Sequence, residues 1–194
     1  MTIPSEALDQ LFYDARSTTP FADREVTDGE LRALHDLWRY APTASNVQAM
    51  RLLVVRSPEA RARLGVHISD GNRAKTLAAP LAIVIAADTR AGEHFPEINP
   101  ERPELRERWL REREATEGTR FNASIQFGFF IVAARAVGLT VGPMGGFTRT
   151  GVDAEFFPDG RWKSILVANV GHPEGEADSP RLPRLSYETV VRTV

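Results

Sequence analysis

Residues 122–137 carry apolar side chains at nearly every position around a helix. A surface helix shows one apolar stripe, so a helix that is apolar nearly all round is expected to be buried on most sides. Gly138 follows directly and suits the left-handed position that ends a helix. We therefore predict a fold built around one central helix. Phe127, Phe129 and Phe130 point to several faces of it, which also favours an obligate homodimer over an ordinary single-chain core.

Helical and extended segments alternate along the rest of the chain. Residues 27–30 (Thr-Asp-Gly-Glu) match a capping box, which predicts a helix that ends near Tyr40, before Pro42. The continuous apolar run of residues 81–87, rich in Ile and Val, predicts a central strand. The other expected elements are helices over 5–15, 58–67, 72–79 and 150–157, strands over 52–55 and 164–170, a Gly-rich turn over 141–147, a loop over 173–183 and an amphipathic end over 185–194. The length of the chain predicts one domain over residues 1–194, in which helices and strands are interleaved, with too few strands for two nucleotide-binding halves.

Residues 90–118 differ in character from the rest. Several Gly and Pro residues break the first part, and a dense mixture of Arg and Glu then surrounds Leu105, Trp109 and Leu110. One interpretation is a solvated surface helix that follows a loop. The other is a lid or dimer arm inserted into the domain, with Trp109 as its anchor.

Composition excludes several classes of function. The 194 residues are 42% hydrophobic and 26% charged, with a net charge of −2, which is typical of a globular domain without a general attraction to nucleic acid or anionic membranes. The sequence contains no Cys, which excludes disulfides and thiolate chemistry and is consistent with a reducing cytoplasm, where we expect the protein. The first ten residues have no signal-peptide pattern, and the longest apolar run, residues 77–87, is too short to span a bilayer.

The common catalytic motifs of hydrolases and metalloenzymes are absent. None of the four His residues has another at a metal-ligand spacing, so we expect no metal site. No GxSxG motif is present, which argues against a serine hydrolase. A bound cofactor is therefore the expected source of the chemistry.

Four short polar or Gly-rich segments could hold such a cofactor. Residues 41–48 (Ala-Pro-Thr-Ala-Ser-Asn-Val-Gln) offer hydroxyls, amides and backbone N–H groups between a helix and a strand. Residues 142–146 (Gly-Pro-Met-Gly-Gly) are either a tight turn or a place where backbone N–H groups approach a planar ligand. Asn72 and Lys75 share one helix face, either as a cap and a solvated cation or as ligand contacts. Arg16 and Ser17 could together clamp a phosphate monoester.

In their order, these segments resemble the FMN-dependent nitroreductase family from about residue 8 to the end of the chain. The matching elements are Arg16-Ser17 with Phe21, residues 41–48, Asn72-x-x-Lys75, Gly138-Leu139, residues 142–147 and the tail Arg181-Leu182-Pro183-Arg184-Leu185. Within the family, the likeness favours the malonic semialdehyde reductases of bacterial pyrimidine breakdown, through residues 71–80, 142–147 and 181–186. The resemblance implies a nitroreductase-like α+β fold, with a central mixed β-sheet flanked by helices, in an intertwined homodimer.

The resemblance also implies a role for each matched residue. Arg16 and Ser17 would hold the FMN phosphate together with Arg181 or Arg184. Asn72 would contact the ribityl chain or ring edge, and Lys75 the N1/O2 edge, where a fixed cation stabilises the reduced flavin. The flavin contacts from the partner subunit would be Pro42, Thr43, Ala44 and Asn46, and those lining the ring would be Pro143, Met144, Gly145 and Gly146.

This chain departs from the family pattern in two places. The family start usually reads Arg-Arg-Ser-x-Arg, whereas residues 15–19 here read Ala-Arg-Ser-Thr-Thr, so two phosphate cations are missing. The Pro-Trp pair that usually follows the Gln is replaced by Ala49-Met50.

The implied activity is NAD(P)H-dependent reduction of a small electron-poor substrate at FMN, with NADPH or NADH as the reductant. The preferred substrate is malonic semialdehyde, reduced to 3-hydroxypropanoate, with Arg73, Arg120 or Arg149 as the partner of its carboxylate. The alternatives are a broad nitroaromatic or quinone reductase and a flavin-binding protein without turnover.

Overall fold

The computed structural model describes residues 2–17, 20–175, 177 and 180–194. Thr18 and Thr19 of the family start, and parts of the loop expected over residues 173–183, lie outside this described part of the chain. Nine α-helices occur in it: α1 (Ser5–Leu8), α2 (Asp28–Trp38), α3 (Pro58–His67), α4 (Asp70–Ala78), α5 (Phe95–Ile98), α6 (Leu105–Trp109), α7 (Thr119–Ala136), α8 (Arg149–Phe156) and α9 (Tyr187–Val190). The strands are β1 (Met50–Val55), β2 (Leu81–Asp88), β3 (Thr140–Met144) and β4 (Trp162–Gly171).

The four described strands form one sheet in the order β1-β2-β4-β3, and every neighbouring pair is antiparallel. The α+β fold is confirmed, but the expectation of a mixed sheet is corrected for these strands. A continuous apolar strand is typical of parallel sheets because helices cover both of their faces. Here β2 is buried on both faces within an antiparallel sheet. Burial shows that both faces of a strand are covered, but it does not show in which direction the neighbouring strands run.

Strand β2 divides the core into two layers. All eight of its residues are buried. Leu81, Ile83 and Ile85 pack in the larger cluster with helices α2 and α7, whereas Ala82 and Val84 pack in the smaller cluster with α3 and α8. This alternation follows from the two-residue period of a strand. The strand order places β3 at one edge of the sheet, beside β4 and away from β1.

Local signals in the sequence predict several element boundaries correctly. In the capping box, the Thr27 side chain accepts from the Glu30 N–H at 3.2 Å, and the Glu30 carboxylate accepts from the Thr27 N–H at 2.8 Å. Helix α3 spans the predicted residues because Ser57 caps it and Pro58 occupies its first turn. Gly138 ends the central helix with a φ of 80°.

Three elements differ from the sequence expectation. The Gly-rich turn expected over residues 141–147 begins with strand β3, which tolerates Pro143 because it is an edge strand that needs fewer ladder N–H donors. The first helix continues beyond α1 as a π-helical turn over Asp9–Tyr13. Residues 90–118 contain short helices, and within them Trp109 is 3% exposed in the larger core cluster of its own chain. The hypothesis of a lid or arm stays a prediction.

Candidate functional site

A cavity of about 540 Å³ opens beside strand β3, and four of the predicted site residues line it. Ser17 comes from the segment after the first helical region, Lys75 from α4, and Pro143 and Met144 from β3. Phe21 also lines the cavity. The fold therefore brings together side chains that are up to 127 positions apart in the sequence, from Ser17 to Met144.

Helix α4 is held against the sheet by the residue that follows Lys75. Thr76 is fully buried, and its hydroxyl donates to the Asn72 carbonyl at 2.9 Å and approaches the Met144 sulfur at 3.8 Å. The Asn169 amide donates to the Lys75 carbonyl at 3.3 Å. These contacts fix the backbone of Lys75 while its side chain stays exposed at the cavity.

The turn after β3 contacts Asn72 directly. The Ser69 N–H donates to the Gly146 carbonyl at 2.9 Å. A Cβ atom at Gly146 would lie 2.6 Å from the Ser69 hydroxyl and 2.7 Å from the Asn72 amide nitrogen, so any other residue there would displace these two side chains. At Gly145, by contrast, a Cβ atom would meet nothing within 4 Å. The turn thus places Asn72 and Gly146 together and leaves Gly145 facing open space.

Asn169 is a residue of this cavity that the sequence analysis missed. It lies on β4, is 3% exposed, and its side-chain oxygen has no hydrogen-bond partner among the described residues. A buried polar group without a partner costs free energy, and such groups concentrate where a ligand or water completes them. The available signal was one Asn in the otherwise apolar run of residues 165–170.

Arg16 and Arg181 converge on the backbone that follows the first helical region. Arg16 donates to the carbonyls of Tyr13 and Ala15 at 3.0 and 3.2 Å, and Arg181 donates to the same two carbonyls at 2.7 and 2.8 Å. Arg184 instead donates to its own neighbours Leu182 and Pro183. Of the two predicted tail arginines, Arg181 is therefore the one that lies beside Arg16 in this structure.

A second cavity, of about 740 Å³, lies beside this pair of arginines. Arg16 lines it together with Arg135, Gly138 and Thr140, and Asp14 is the carboxylate among its described lining residues. The Thr140 hydroxyl donates to the Arg16 carbonyl at 2.8 Å. Thr140 and Pro143 belong to the same strand, so β3 connects the two cavities over about 10 Å, at roughly 3.3 Å per residue.

Residues 41–48 stand apart from both cavities. The side-chain oxygen of Asn122, on α7, accepts from the Ala44 N–H at 2.7 Å, and the Asn46 amide donates to the Ile98 carbonyl at 2.8 Å. Ser45, Asn46 and Gln48 have φ values of 54°, 60° and 45°, which is the left-handed region that residues other than glycine seldom adopt. The predicted contacts Pro42, Thr43, Ala44 and Asn46 do not line either cavity of their own chain. Their assignment to a partner's flavin stays a prediction.

The three candidate carboxylate partners differ in their surroundings. Arg73 is the most engaged of the three, because it donates to the carbonyls of Gly65 and Ile68 and pairs with Asp70 at 2.9 Å. Arg149 lies over the Phe147 ring at 5.8 Å and is exposed. Arg120 is exposed on α7. Among the described residues, Arg120 and Arg149 thus remain available to a substrate.

The described helices include none whose length and apolar content would suffice to cross a bilayer. A search of the same residues finds no group of three or more His, Asp or Glu side chains placed to hold a metal ion.

Comparison with known proteins matches the chain to one family. The sequence pattern of the Nitroreductase family covers residues 13–172, which include all the lining residues of the 540 Å³ cavity and part of the lining of the 740 Å³ cavity. The chain belongs to the nitroreductase family. A Streptomyces coelicolor protein named NADH dehydrogenase/NAD(P)H nitroreductase is 48% identical over 187 residues, covering 96% of this chain and 93% of that protein. A Rhodopseudomonas palustris protein of the same name is 42% identical and covers 100% of this chain and 98% of its own length.

Solved nitroreductases share the fold at low sequence identity. A family protein from Exiguobacterium sibiricum, solved in complex with FMN, superposes with a TM-score of 0.81 at 18% identity, covering 100% of this chain and 98% of its own. A nitroreductase family protein from Streptococcus pneumoniae superposes with a TM-score of 0.81 at 19% identity, covering 95% of this chain and 98% of its own. The nitroreductase-like fold is therefore confirmed.

Proposed function

We propose that this nitroreductase reduces a small electron-poor carbonyl compound, with malonic semialdehyde as the preferred substrate and 3-hydroxypropanoate as the product. As a member of its family, the protein is an FMN-dependent NAD(P)H oxidoreductase. The observation that carries the proposal is the β3-edge cavity, which gathers Ser17, Lys75 and Pro143 at one place. When bound, FMN would supply the hydride-transfer chemistry between the nicotinamide cofactor and the substrate.

The residues present fit the groups of FMN. Lys75 provides a cation for the ring edge where negative charge develops on reduction, and such preorganised charge stabilises it. The Asn169 side-chain oxygen, which has no hydrogen-bond partner in the described part of the chain, is a polar atom to which a ligand can donate. Arg16 and Arg181 provide cations for the phosphate, and the glycine turn lets a planar group approach the backbone. The chain's own side chains would therefore bind and orient FMN and stabilise the charge on its reduced ring.

We also propose that the working form is the intertwined homodimer. The residues of the described tail, 181–194, are exposed throughout, including Leu182, Leu185 and Val190 at 77%, 73% and 61%. On α7, Phe121 and Phe129 are 66% and 44% exposed. An apolar surface of this extent is typical of an interface. A second copy would cover it and would bring residues 41–48 to a partner's cavity, which they do not reach in their own chain. Sedimentation velocity at micromolar concentration tests this proposal, and a well-folded monomer would contradict it.

The substrate is tested by reoxidation of the reduced holoenzyme. The protein is reduced anaerobically with NADPH or NADH, and the return of the oxidised flavin absorbance is followed after mixing with one acceptor at a time. Malonic semialdehyde is compared with propanal, which has the same chain length without the carboxylate. We expect malonic semialdehyde to react at least tenfold faster, because a charge-assisted contact contributes roughly 1.5–3 kcal/mol.

Other outcomes identify the alternatives. Fast reoxidation by quinones or nitroaromatics, with no preference for malonic semialdehyde over propanal, would favour the broad reductase. If neither NADPH nor NADH reduces the bound flavin, the result would favour a flavin-binding protein without turnover. Arg149→Gln and Arg120→Gln then show which arginine provides the preference for the carboxylate, because only that variant should lose it.

A further inference from the structure

Arg135 lies at the place where this chain departs from the family pattern. Residues 15–19 read Ala-Arg-Ser-Thr-Thr, so the start of the chain carries one arginine where the family usually carries three. Arg135 belongs to the last turn of α7, and its guanidinium donates to the Leu11 carbonyl at 2.7 Å, across 124 sequence positions. It lines the same 740 Å³ cavity as Arg16. Arg135 therefore brings a cation from another part of the chain to the segment around Arg16, which lacks two of the arginines usual in the family.

Three arginines gather around this short stretch of backbone. Arg135 donates to Leu11, while Arg16 and Arg181 donate to the Tyr13 and Ala15 carbonyls. Among the described residues, none of the three forms an ion pair, although Asp14 also lines the cavity. Backbone carbonyls satisfy only some of the donors of a guanidinium, which has five.

Gathering these cations has an electrostatic cost. Burial, followed by the nearby charge of Arg181, lowers the pKa of Arg135 below its usual range. Like charges that are brought together in a partly buried place disfavour one another, and a bound anion relieves that repulsion. A phosphate monoester carries about two negative charges and several acceptor oxygens, which match three guanidinium groups.

We propose that Arg135 is a third cation of the phosphate subsite of FMN and compensates for the arginine that this chain lacks at Ala15. The inference rests on the proposed function, since it assigns a residue to the cofactor of that same site. Strand β3 joins this cavity to the one that holds Lys75, over a length of about 10 Å, which suits a ligand with a ring at one end and a phosphate at the other.

The experiment compares two flavins that differ only in the phosphate. Dissociation constants of FMN and riboflavin are measured by fluorescence quenching on apoprotein of the wild type, Arg135→Gln and Arg135→Lys. Arg113→Gln, which changes an arginine whose side chain is 83% exposed, is the matched control. We expect Arg135→Gln to weaken FMN binding at least about tenfold and riboflavin binding less than about twofold. Arg135→Lys should recover most of the loss, and the control should bind both flavins like the wild type.

Two results would overturn the assignment. An unchanged affinity of Arg135→Gln for FMN would place Arg135 outside the phosphate subsite. An equal loss for FMN and riboflavin would show that Arg135 acts only by holding Leu11 and the first helical region. Both differ from a failure of the proposed function, in which the wild-type protein itself would bind neither flavin.

Discussion

Two groups of arginines in this nitroreductase are stabilised in opposite ways. At the end of β2, the fully buried Asp88 pairs with Arg51 at 2.8 Å and with Arg161 at 3.0 Å. Beside the 740 Å³ cavity, Arg16, Arg135 and Arg181 bind backbone carbonyls and have no carboxylate partner among the described residues. The first group is complete within the chain, whereas the second has donors left for a ligand.

The pKa directions agree with this contrast. The hydrogen bond to Asp88 raises the pKa of Arg161, whereas burial and the charge of Arg181 lower the pKa of Arg135. Burial also lowers the pKa of Arg51, but Asp88 opposes that change. Arginines alone therefore do not identify an anion site. The informative observation is whether the fold already supplies their counter-charge.

The largest expected effect on stability comes from removing the charge of Asp88, the carboxylate that pairs with Arg51 and Arg161. Asp88→Asn removes the carboxylate that pairs with Arg51 and leaves Arg161 only its contact with Glu93 at 3.4 Å, so we expect a loss of about 3 kcal/mol in the free energy of unfolding. Urea denaturation of the holoprotein measures it. Asp36→Asn, which changes a carboxylate whose side chain is 70% exposed, is the control and should change stability by less than about 0.5 kcal/mol. A loss below about 1 kcal/mol for Asp88→Asn would show that the group is not what stabilises this end of the sheet.

An intermediate effect is expected at Lys75, which lines the 540 Å³ cavity. Lys75→Met keeps the length of the side chain and removes its charge, so the reduced form of the bound flavin should lose roughly 1.5–3 kcal/mol of stabilisation. The expected result is a lower midpoint potential of the bound FMN and slower turnover in a protein that remains folded and yellow. Lys163→Met, at an exposed position of β4, is the matched control. A midpoint potential in Lys75→Met equal to that of the control would move the assignment to one of the arginines.

The smallest effect is expected at Glu30, whose carboxylate already accepts the Thr27 N–H in the capping box. The hydrogen bond from the Thr27 N–H lowers the pKa of Glu30 below its usual 4.5, with smaller contributions from His172 and Arg24. The unfolded chain therefore binds more protons than the folded one at acid pH, and the stabilisation is lost as the pH falls through the lowered pKa. Relative to Glu30→Gln, the wild type should be more stable by up to about 1 kcal/mol at neutral pH.

That advantage should shrink toward zero at an acid pH below the lowered pKa of Glu30, where the carboxylate is protonated in both states. Urea denaturation of both proteins at the two pH values measures it. An advantage that does not change with pH would show that packing, and not the carboxylate charge, stabilises the start of α2.

Local chemistry predicted much of the fold and part of the site. Several helix ends are set by hydrogen bonds and backbone angles that involve only residues close in the sequence, so these ends could be predicted from the sequence. They are formed by Thr27 with Glu30, by Ser57 with Pro58, and by Gly138. The apolar run of residues 81–87 predicted a central strand because a continuous apolar segment of this length is typical of a buried strand. Ser17, Lys75, Pro143 and Met144 were found through the family pattern, and the structure places all four at one cavity.

Long-range pairing decided what these local signals could not. Strand direction depends on which strand lies alongside, so the antiparallel sheet and the edge position of β3 were not visible in burial patterns. Asn169 and Arg135 look like an ordinary strand amide and an ordinary helix-end cation in the sequence. In the structure they contact residues far away in the sequence, Lys75 at 94 positions and Leu11 at 124 positions. Neighbours along the chain specify helices and strands, whereas the electrostatic environment of a charge depends on residues that only folding brings near it.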